Sequence, residues 1–260
     1  MVALAATHHD PESRLYHQTR RILPLLCTFY SYIAILVTPS THTESRLLLQ
    51  NVGVRVSDGQ SGVSQGYMHL GLWRRQALEQ ALRGAPDATH IHCCDFDRVL
   101  HWAEFYPDEL QATLKYLQQY DFTVLGRTTR AFDSHPRIQR DTESIVNHVF
   151  ALCSGLSWDV TAGSRGLSRG AAEAIVGACL DDTVGNDCSW PLFIRRQAGL
   201  SSSYVPTEGL EFETLDRYSA EIEALGSAAA WIAQIDADPQ LWALRLEIAR
   251  LGVESIVTYR

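Results

Sequence analysis

Asp95-Phe96-Asp97 places two carboxylates at i, i+2 directly after the short apolar stretch from Ala88 to Cys94. That stretch is bounded upstream by Gly84-Ala85-Pro86-Asp87, a turn signal, and reads as a buried strand running into charge. In an open parallel sheet, ligands sit beyond the carboxyl ends of the strands, so Asp95 and Asp97 stand where a divalent cation and its phosphates would be held. Mg²⁺ and Mn²⁺ favour oxygen ligands and take only one or two protein carboxylates when a diphosphate brings the rest. Lys115 is the only lysine, which leaves phosphate contacts to backbone N–H groups, metal or arginine, with Arg74 and Arg98 the nearest candidates.

Those residues need a scaffold, and the chain has the means to build one. Its 260 residues with 46% hydrophobic content suit one large α/β domain, or a domain with an appendage. A net charge of −8 disfavours sequence-independent binding to nucleic acid or an anionic membrane. The longest apolar run, 22–37, is interrupted by Pro24, Thr28 and Ser31 and falls short of the roughly 20 residues of a transmembrane helix. The six cysteines contain no C-x-x-C pair, which argues against a zinc knuckle or a disulfide framework. No basic leader precedes the first apolar residues, so a soluble, cytoplasmic protein is expected.

Periodicity gives an alternating order. Strands are expected over 2–6, ending in the loop Thr7-His8-His9-Asp10, and over 32–37, 52–56, 88–94 and 122–126. Helices are expected over 12–26, from a capping box at Thr41 and Glu44, through Leu72, Trp73 and Leu78, from Pro107, and over 136–152. The segment from Trp158 to Gly166 reads as a polar loop, and a helix follows over 169–178. Another helix begins near Trp190 with Pro191 in its first turn, which would put Asp187 beside a positive helix end. Tyr204-Val205-Pro206 suits an edge strand. Alternating strands and helices imply a mostly parallel sheet covered on both faces. The expected division is an α/β domain over 1–215 with a helical C-terminal extension over 216–260.

Taken together, these motifs resemble the GT-A glycosyltransferases, in particular the large inverting group that uses nucleotide-diphosphate sugars. The resemblance covers 1 to about 210. Thr7-His8-His9-Asp10 is similar to that family's nucleotide-contacting loop after the first strand. Thr38 stands where the family usually has a base-recognising Asp. Gly62 to Leu82 resembles its glycine-containing loop and helix, and Asp95-Phe96-Asp97 its metal-binding Asp-x-Asp. Asn186-Asp187, followed by Arg195 or Arg196, Gly199 and Tyr204-Val205-Pro206, is similar to the layout in which the second acid of a pair is the catalytic base. The resemblance therefore implies a GT-A-like, Rossmann-like fold and a metal-dependent transferase. The donor would be a nucleotide-diphosphate sugar, the acceptor a small-molecule or glycan hydroxyl, and the metal Mg²⁺ or Mn²⁺. Asp95 and Asp97 would hold the metal; Thr7, His8, His9, Thr38, Arg74, Asp95 and Arg98 would line the donor; Asp187 would be the base. Trp158, Asp159 and Arg165, in a loop of the substrate-facing half, are the acceptor-side candidates.

Other readings of the same stretch stay open. Asp95-x-Asp97 is also the pattern of haloacid dehalogenase-type phosphatases, although Lys115 follows too closely for their phosphate-binding lysine. His90-Ile91-His92 has the His-x-His spacing of metallohydrolases, although histidines inside a strand more often pack or hydrogen-bond within the core. A non-catalytic interaction protein could use the same scaffold.

Overall fold

The computed structural model describes residues 1–59 and 66–260; Gln60 to Gln65 of the glycine-rich loop lie outside the described residues. The strands are β1 (Val2–His8), β2 (Tyr32–Val37), β3 (Arg55–Asp58), β4 (His90–Asp95), β5 (Phe122–Arg127), β6 (Ser164–Ser168) and β7 (Ser202–Thr207). They form one sheet in the order β3-β2-β1-β4-β6-β5-β7, parallel except where β6 runs antiparallel to both β4 and β5. The helices are α1 (Tyr16–Phe29), α2 (Thr43–Asn51), α3 (Leu70–Gly84), α4 (Phe96–Phe105), α5 (Pro107–Leu117) and α6 (Thr129–Asp133). They continue with α7 (Arg137–Ser154), α8 (Arg169–Ala178), α9 (Asn186–Arg195), α10 (Ser219–Leu225), α11 (Ala228–Ala237) and α12 (Pro239–Tyr259).

Strand alternation sorts the core into two layers. Ala3, Ala5, Ala34 and Leu36 face the layer built from α3, α7, α8, α9 and α12. Val2, Leu4, Ala6, Ile33, Ile35 and Val37 face the layer holding α1, α4 and α5. β1 is buried along its whole length because both faces are covered, which is why it reads as a continuous apolar run rather than an alternating one.

Several expectations change. β1 continues through His8, so Thr7 and His8 are ladder residues, paired with Asp95 and Val37, rather than loop residues. Helix α1 starts at Tyr16 rather than near residue 12, because the buried Asp10 carboxylate accepts the N–H groups of Arg14 and Leu15 and folds the chain into a turn first. His42, not Thr41, caps α2; Thr41 instead donates its hydroxyl to the His8 carbonyl and ties the ends of β1 and β2 together. The stretch 96–105 was not expected as a helix, yet Asp97 lies in the first turn of α4. Most consequential, the expected loop 158–166 contains the start of β6. Arg165 and Gly166 hid this strand from an apolar-run reading, and it is inserted between β4 and β5 in the opposite direction.

His92 shows how tightly this centre is specified. Its ring hydrogen-bonds Tyr30 Oη at 2.7 Å and Ser164 Oγ at 2.9 Å, and it meets Trp102 edge-on. With both ring nitrogens engaged inside the core, it is a packing residue. Burial pushes its pKa down to about 3. The folded state therefore keeps it neutral where the unfolded chain protonates near pH 6.5, and the unfolded state binds the extra proton. Stability from this group is full above pH 6.5 and falls on acidification toward pH 3 by ~1.4 kcal/mol per pH unit. Urea unfolding at pH 7 and pH 5 should show a loss from this group of roughly 2 kcal/mol, absent in His92→Gln. An equal acid loss in the variant would contradict this assignment.

Candidate active site

The carboxyl ends of β1, β2 and β4 meet on one edge of the sheet. Chain order runs outward from β1 to β2 and β3, then crosses back to β4 on the other side of β1, and such a reversal opens a crevice between β1 and β4. Thr7 and Asp95 face each other across it, and Thr7 Oγ1 donates to Asp95 Oδ1 at 2.7 Å.

Arg74 enters from α3 and joins this crevice to a second acid. Its Nε and Nη2 donate to Asp95 at 3.3 and 2.8 Å, while Nη1 donates to Asn186 Oδ1 at 3.1 Å and to Asp187 Oδ1 at 2.8 Å. Burial opposes its charge, but Asp187 and Asp95 more than compensate and raise its pKa further above the arginine range. Gly163, in a left-handed conformation at φ 70°, passes close beside the pair; a Cβ there would lie 3.0 Å from Arg74 Nη2 and 3.3 Å from Asp95 Oδ2.

Asp187 opens α9 and is held from beneath by Arg165 of β6, which donates to its carbonyl at 3.0 Å and reaches its Oδ1 at 3.3 Å. The carbonyl is available because Pro191, four residues on, has no N–H to close the helical bond. Pro191 thus lies inside the helix rather than in its first turn, and its missing N–H is replaced by a buried arginine. Burial lowers the Arg165 pKa against the pull of Asp187.

Asp97 accepts from Arg217 Nη2 at 2.8 Å and from the Arg98 N–H at 2.9 Å. Burial alone would raise its pKa, but Arg217 and Arg98 hold it below the usual carboxylate value. Arg217 also donates to the His9 carbonyl at 2.7 Å, closing the C-terminal part of the chain over the end of β1. Arg98 lies 3.4 Å from Glu213, whose pKa burial raises although Arg98 opposes it. Both Glu213 and Arg217 belong to a short 3-10 turn, Glu213–Tyr218. The chain reaches that turn past Gly209, where a Cβ would fall 1.9 Å from Trp102, and past Glu109, which accepts the N–H groups of Glu208 and Gly209.

Two adjoining cavities result. The larger, about 700 Å³, is lined at one end by His9, Thr38, Ser40, Trp73, Asp95 and Arg98, with Arg74, Gly163 and Asp187 in its wall. Its other end lies between α7 and α12. The smaller, about 220 Å³, is lined by Thr7, His8, Asp97, Glu213 and Arg217 and shares Asp95 and Arg98 with the larger. Thr38 Oγ1 is already bonded to His9 Nδ1 at 2.8 Å and to Thr41 at 3.0 Å, while the buried indole N–H of Trp73 has no hydrogen-bond partner among the described residues.

The donor-side residues expected from the sequence are therefore gathered around these cavities, and the acceptor-side trio is not. Trp158 stacks between Phe150 and Tyr204, Asp159 is locked to Arg127 at 2.8 Å, and Arg165 is buried beneath Asp187; none lines either cavity. The expectation changes because a segment read as a loop became a strand and its approach, turning these side chains into the layer under the site. The residues not anticipated were Gln139, Glu143, Glu213, Arg217 and Arg245. Each lies on a helix or turn whose local sequence carries no motif, and only tertiary packing brings it to the cavities.

Among the described residues, no cluster of three or more His, Cys, Asp or Glu forms a ready metal cage. The donor chemistry still fits Mg²⁺ or Mn²⁺. Asp95 and Asp97 face the same small cavity, and two carboxylates suffice for an ion that takes its other ligands from a diphosphate and water. Asp97 has the fewer fixed contacts of the two.

No protein-family model matches the sequence, and no curated protein matches it. Solved structures do match its fold. Glucosyl-3-phosphoglycerate synthase from Mycobacterium tuberculosis, in complex with Mn²⁺, UDP-glucose and phosphoglyceric acid, superposes with a TM-score of 0.51 at 13% identity, covering 79% of this chain and 69% of that one. The chain has a GT-A-like fold. The same synthase with Mg²⁺ and UDP gives a TM-score of 0.50 at 12% identity over 80% and 70% of the two chains. A further mycobacterial protein gives 0.53 at 11% over 87% and 75%. Identities this low establish the fold and leave the activity to be argued from the site.

Arg74 offers a direct test of that site. Arg74→Met leaves buried Asp187 and half-buried Asp95 without their shared cation, and breaking a buried pair from one side costs ~3–5 kcal/mol. Arg74→Lys cannot reproduce the fork and should recover only part of this. Chemical denaturation of both variants checks the order; wild-type stability in Arg74→Met would show that the bridge does not hold the site together.

Proposed function

We propose that the chain is a glycosyltransferase that moves a sugar from a nucleotide-diphosphate donor to a hydroxyl acceptor. The observation that carries this reading is the single cavity of about 700 Å³ in which the β1/β4 crevice, with Asp95 and Arg98, opens onto Asp187. A donor diphosphate at the crevice and an acceptor hydroxyl near Asp187 would share one cleft. The ligands named for the superposed synthase, UDP-glucose with Mn²⁺, belong to the same chemical class. No described helix is long and apolar enough to cross a membrane.

Each group then has a task. The acceptor oxygen bonds to the anomeric carbon as the bond to the diphosphate oxygen breaks, and the leaving group departs with the electron pair. A divalent cation, when bound, supplies Lewis-acid charge at that leaving group, and Asp97 with Asp95 would hold it. Arg98, which lines both cavities between Asp95 and Glu213, is the cation placed to contact the diphosphate. His9, Thr38 and Trp73 form the wall available to the nucleoside. Asp187 takes the acceptor proton, held in orientation by Arg74 and Arg165. Trp158 and Asp159 support the layer beneath rather than touching the acceptor.

Incubation with Mn²⁺ or Mg²⁺ and a panel of nucleotide sugars should release nucleoside diphosphate for at least one donor; no release and no nucleotide binding across the panel would sink the reading. Asp97→Ala should abolish metal-dependent donor binding measured by calorimetry while the fold persists. Asp187→Asn keeps the shape and an oxygen that can accept from Arg74 and Arg165 but removes the basicity. Its kcat should fall by ~10²-fold or more with little change in donor affinity, the pattern of a group acting in the transition state. Near-normal turnover in Asp187→Asn would assign the base elsewhere.

A further inference from the structure

The far half of the large cavity is walled by α7, with Gln139, Glu143 and Val146, and by α12, with Arg245, Ile248 and Ala249. On the glycosyltransferase reading above, we infer that this half binds an amphipathic hydroxyl acceptor that has an apolar face and carries no phosphate.

Charge sets the first limit. The guanidinium groups of Arg74 and Arg98 belong to the donor half, and Arg74 is already engaged by Asp95, Asn186 and Asp187. Among the described lining residues, that leaves Arg245 as the arginine of the α7/α12 half. It donates to Gln139 Oε1 at 2.9 Å and faces Glu143 Oε1 at 3.6 Å, while the other Glu143 oxygen accepts from Arg127 at 2.6 Å. The carboxylates of Glu143 and Asp187 already engage Arg127 and Arg74 with Arg165, so a phosphate dianion placed here would find beside those carboxylates one further cation, Arg245, itself shared with Gln139 and Glu143.

The helix ends offer no substitute. The first N–H groups of α7, at Arg137 and Ile138, are capped by the Asp236 carboxylate. Those of α9, at Asn186, Asp187 and Cys188, donate to the carbonyls of Thr183, Val184 and Gly185. The N-terminus of α12 is capped by Asp238. An anion at any of these ends would have to displace a carboxylate or a carbonyl that the fold has already supplied.

Shape and polarity set the second limit. Val146, Ile248 and Ala249 form an apolar strip, and Gly252 lets α12 lie against it, since a Cβ at that position would come 3.1 Å from Val146 Cγ1. An acceptor can lay an apolar face on this strip, direct one polar group to Gln139 and Arg245, and turn its hydroxyl toward Asp187. The superposed synthase contains phosphoglyceric acid, so this chain would differ from it in acceptor charge.

Calorimetry on the full chain with Mn²⁺ tests this. UDP and GDP are titrated first; failure of both to bind counts against the donor reading and leaves the acceptor measurement interpretable without nucleotide. Phenyl β-D-glucoside, uncharged with an apolar ring, should then bind at least ~10-fold more tightly than 3-phosphoglycerate. Ala249→Phe, which fills the strip, and Ile248→Gln, which makes it polar without adding bulk, should each weaken phenyl glucoside by ~10-fold, with thermal unfolding reporting that the variants fold. Tighter binding of 3-phosphoglycerate, no binding of phenyl glucoside, or glucoside affinity indifferent to the substitution in a folded variant would each overturn the inference.

Discussion

One guanidinium holds the site's two halves together. Arg74 reaches from α3 across the sheet edge to Asp95 at the end of β4 and to Asn186 and Asp187 at the start of α9. Without it, two acids would face one cavity in surroundings that penalise unpaired charge. With it, the crevice and the acid at the mouth of α9 are fixed relative to each other, and a reaction that needs a leaving group at one and a proton acceptor at the other has a defined geometry. A planar fork that never loses its proton is the side chain suited to bridge carboxylates in this way.

The C-terminal helices complete this arrangement. Arg217 clamps Asp97 and the His9 carbonyl, and the 3-10 turn that carries it is held to α4 through His101, which bonds Asp216 at 2.8 Å and Glu211 at 3.2 Å. Helix α12 packs on α7 and α9, and Ser255 near its end donates to the Gly185 carbonyl, two residues before Asp187. Residues 216–260 therefore wall the cavities at both ends.

The layer beneath the site gives the acids their orientation. Arg127 collects Glu143 and Asp159, and Arg165 fills the backbone gap that Pro191 opens beneath Asp187. These arginines are buried and touch neither cavity, so their contribution lies in rigidity. A proline inside a helix is ordinarily a defect; here it frees one carbonyl for a buried cation and so anchors the residue nominated as base.

Much of this was legible in the residues themselves. β2 and α8 fall where apolar runs and capping signals put them, and the Asp-x-Asp stands at a strand end as its spacing implied, because strand alternation and helix periodicity are local properties of the chain. What the sequence could not show was direction and distance. Ser164-Arg165-Gly166 looks like a polar loop until the sheet inserts it antiparallel between β4 and β5, and that insertion took Trp158, Asp159 and Arg165 from the cavity to the layer under it. Arg217 and Asp97 are 120 residues apart, and nothing in either neighbourhood marks the other as its partner. The sequence by itself determined most of the strands and helices, β6 and α4 apart, and which acid ends β4, since those follow from nearest-neighbour sterics and burial patterning. Tertiary structure alone decided which charges neutralise one another and which helix closes the acceptor end, because ion pairing and cavity shape depend on where distant segments meet.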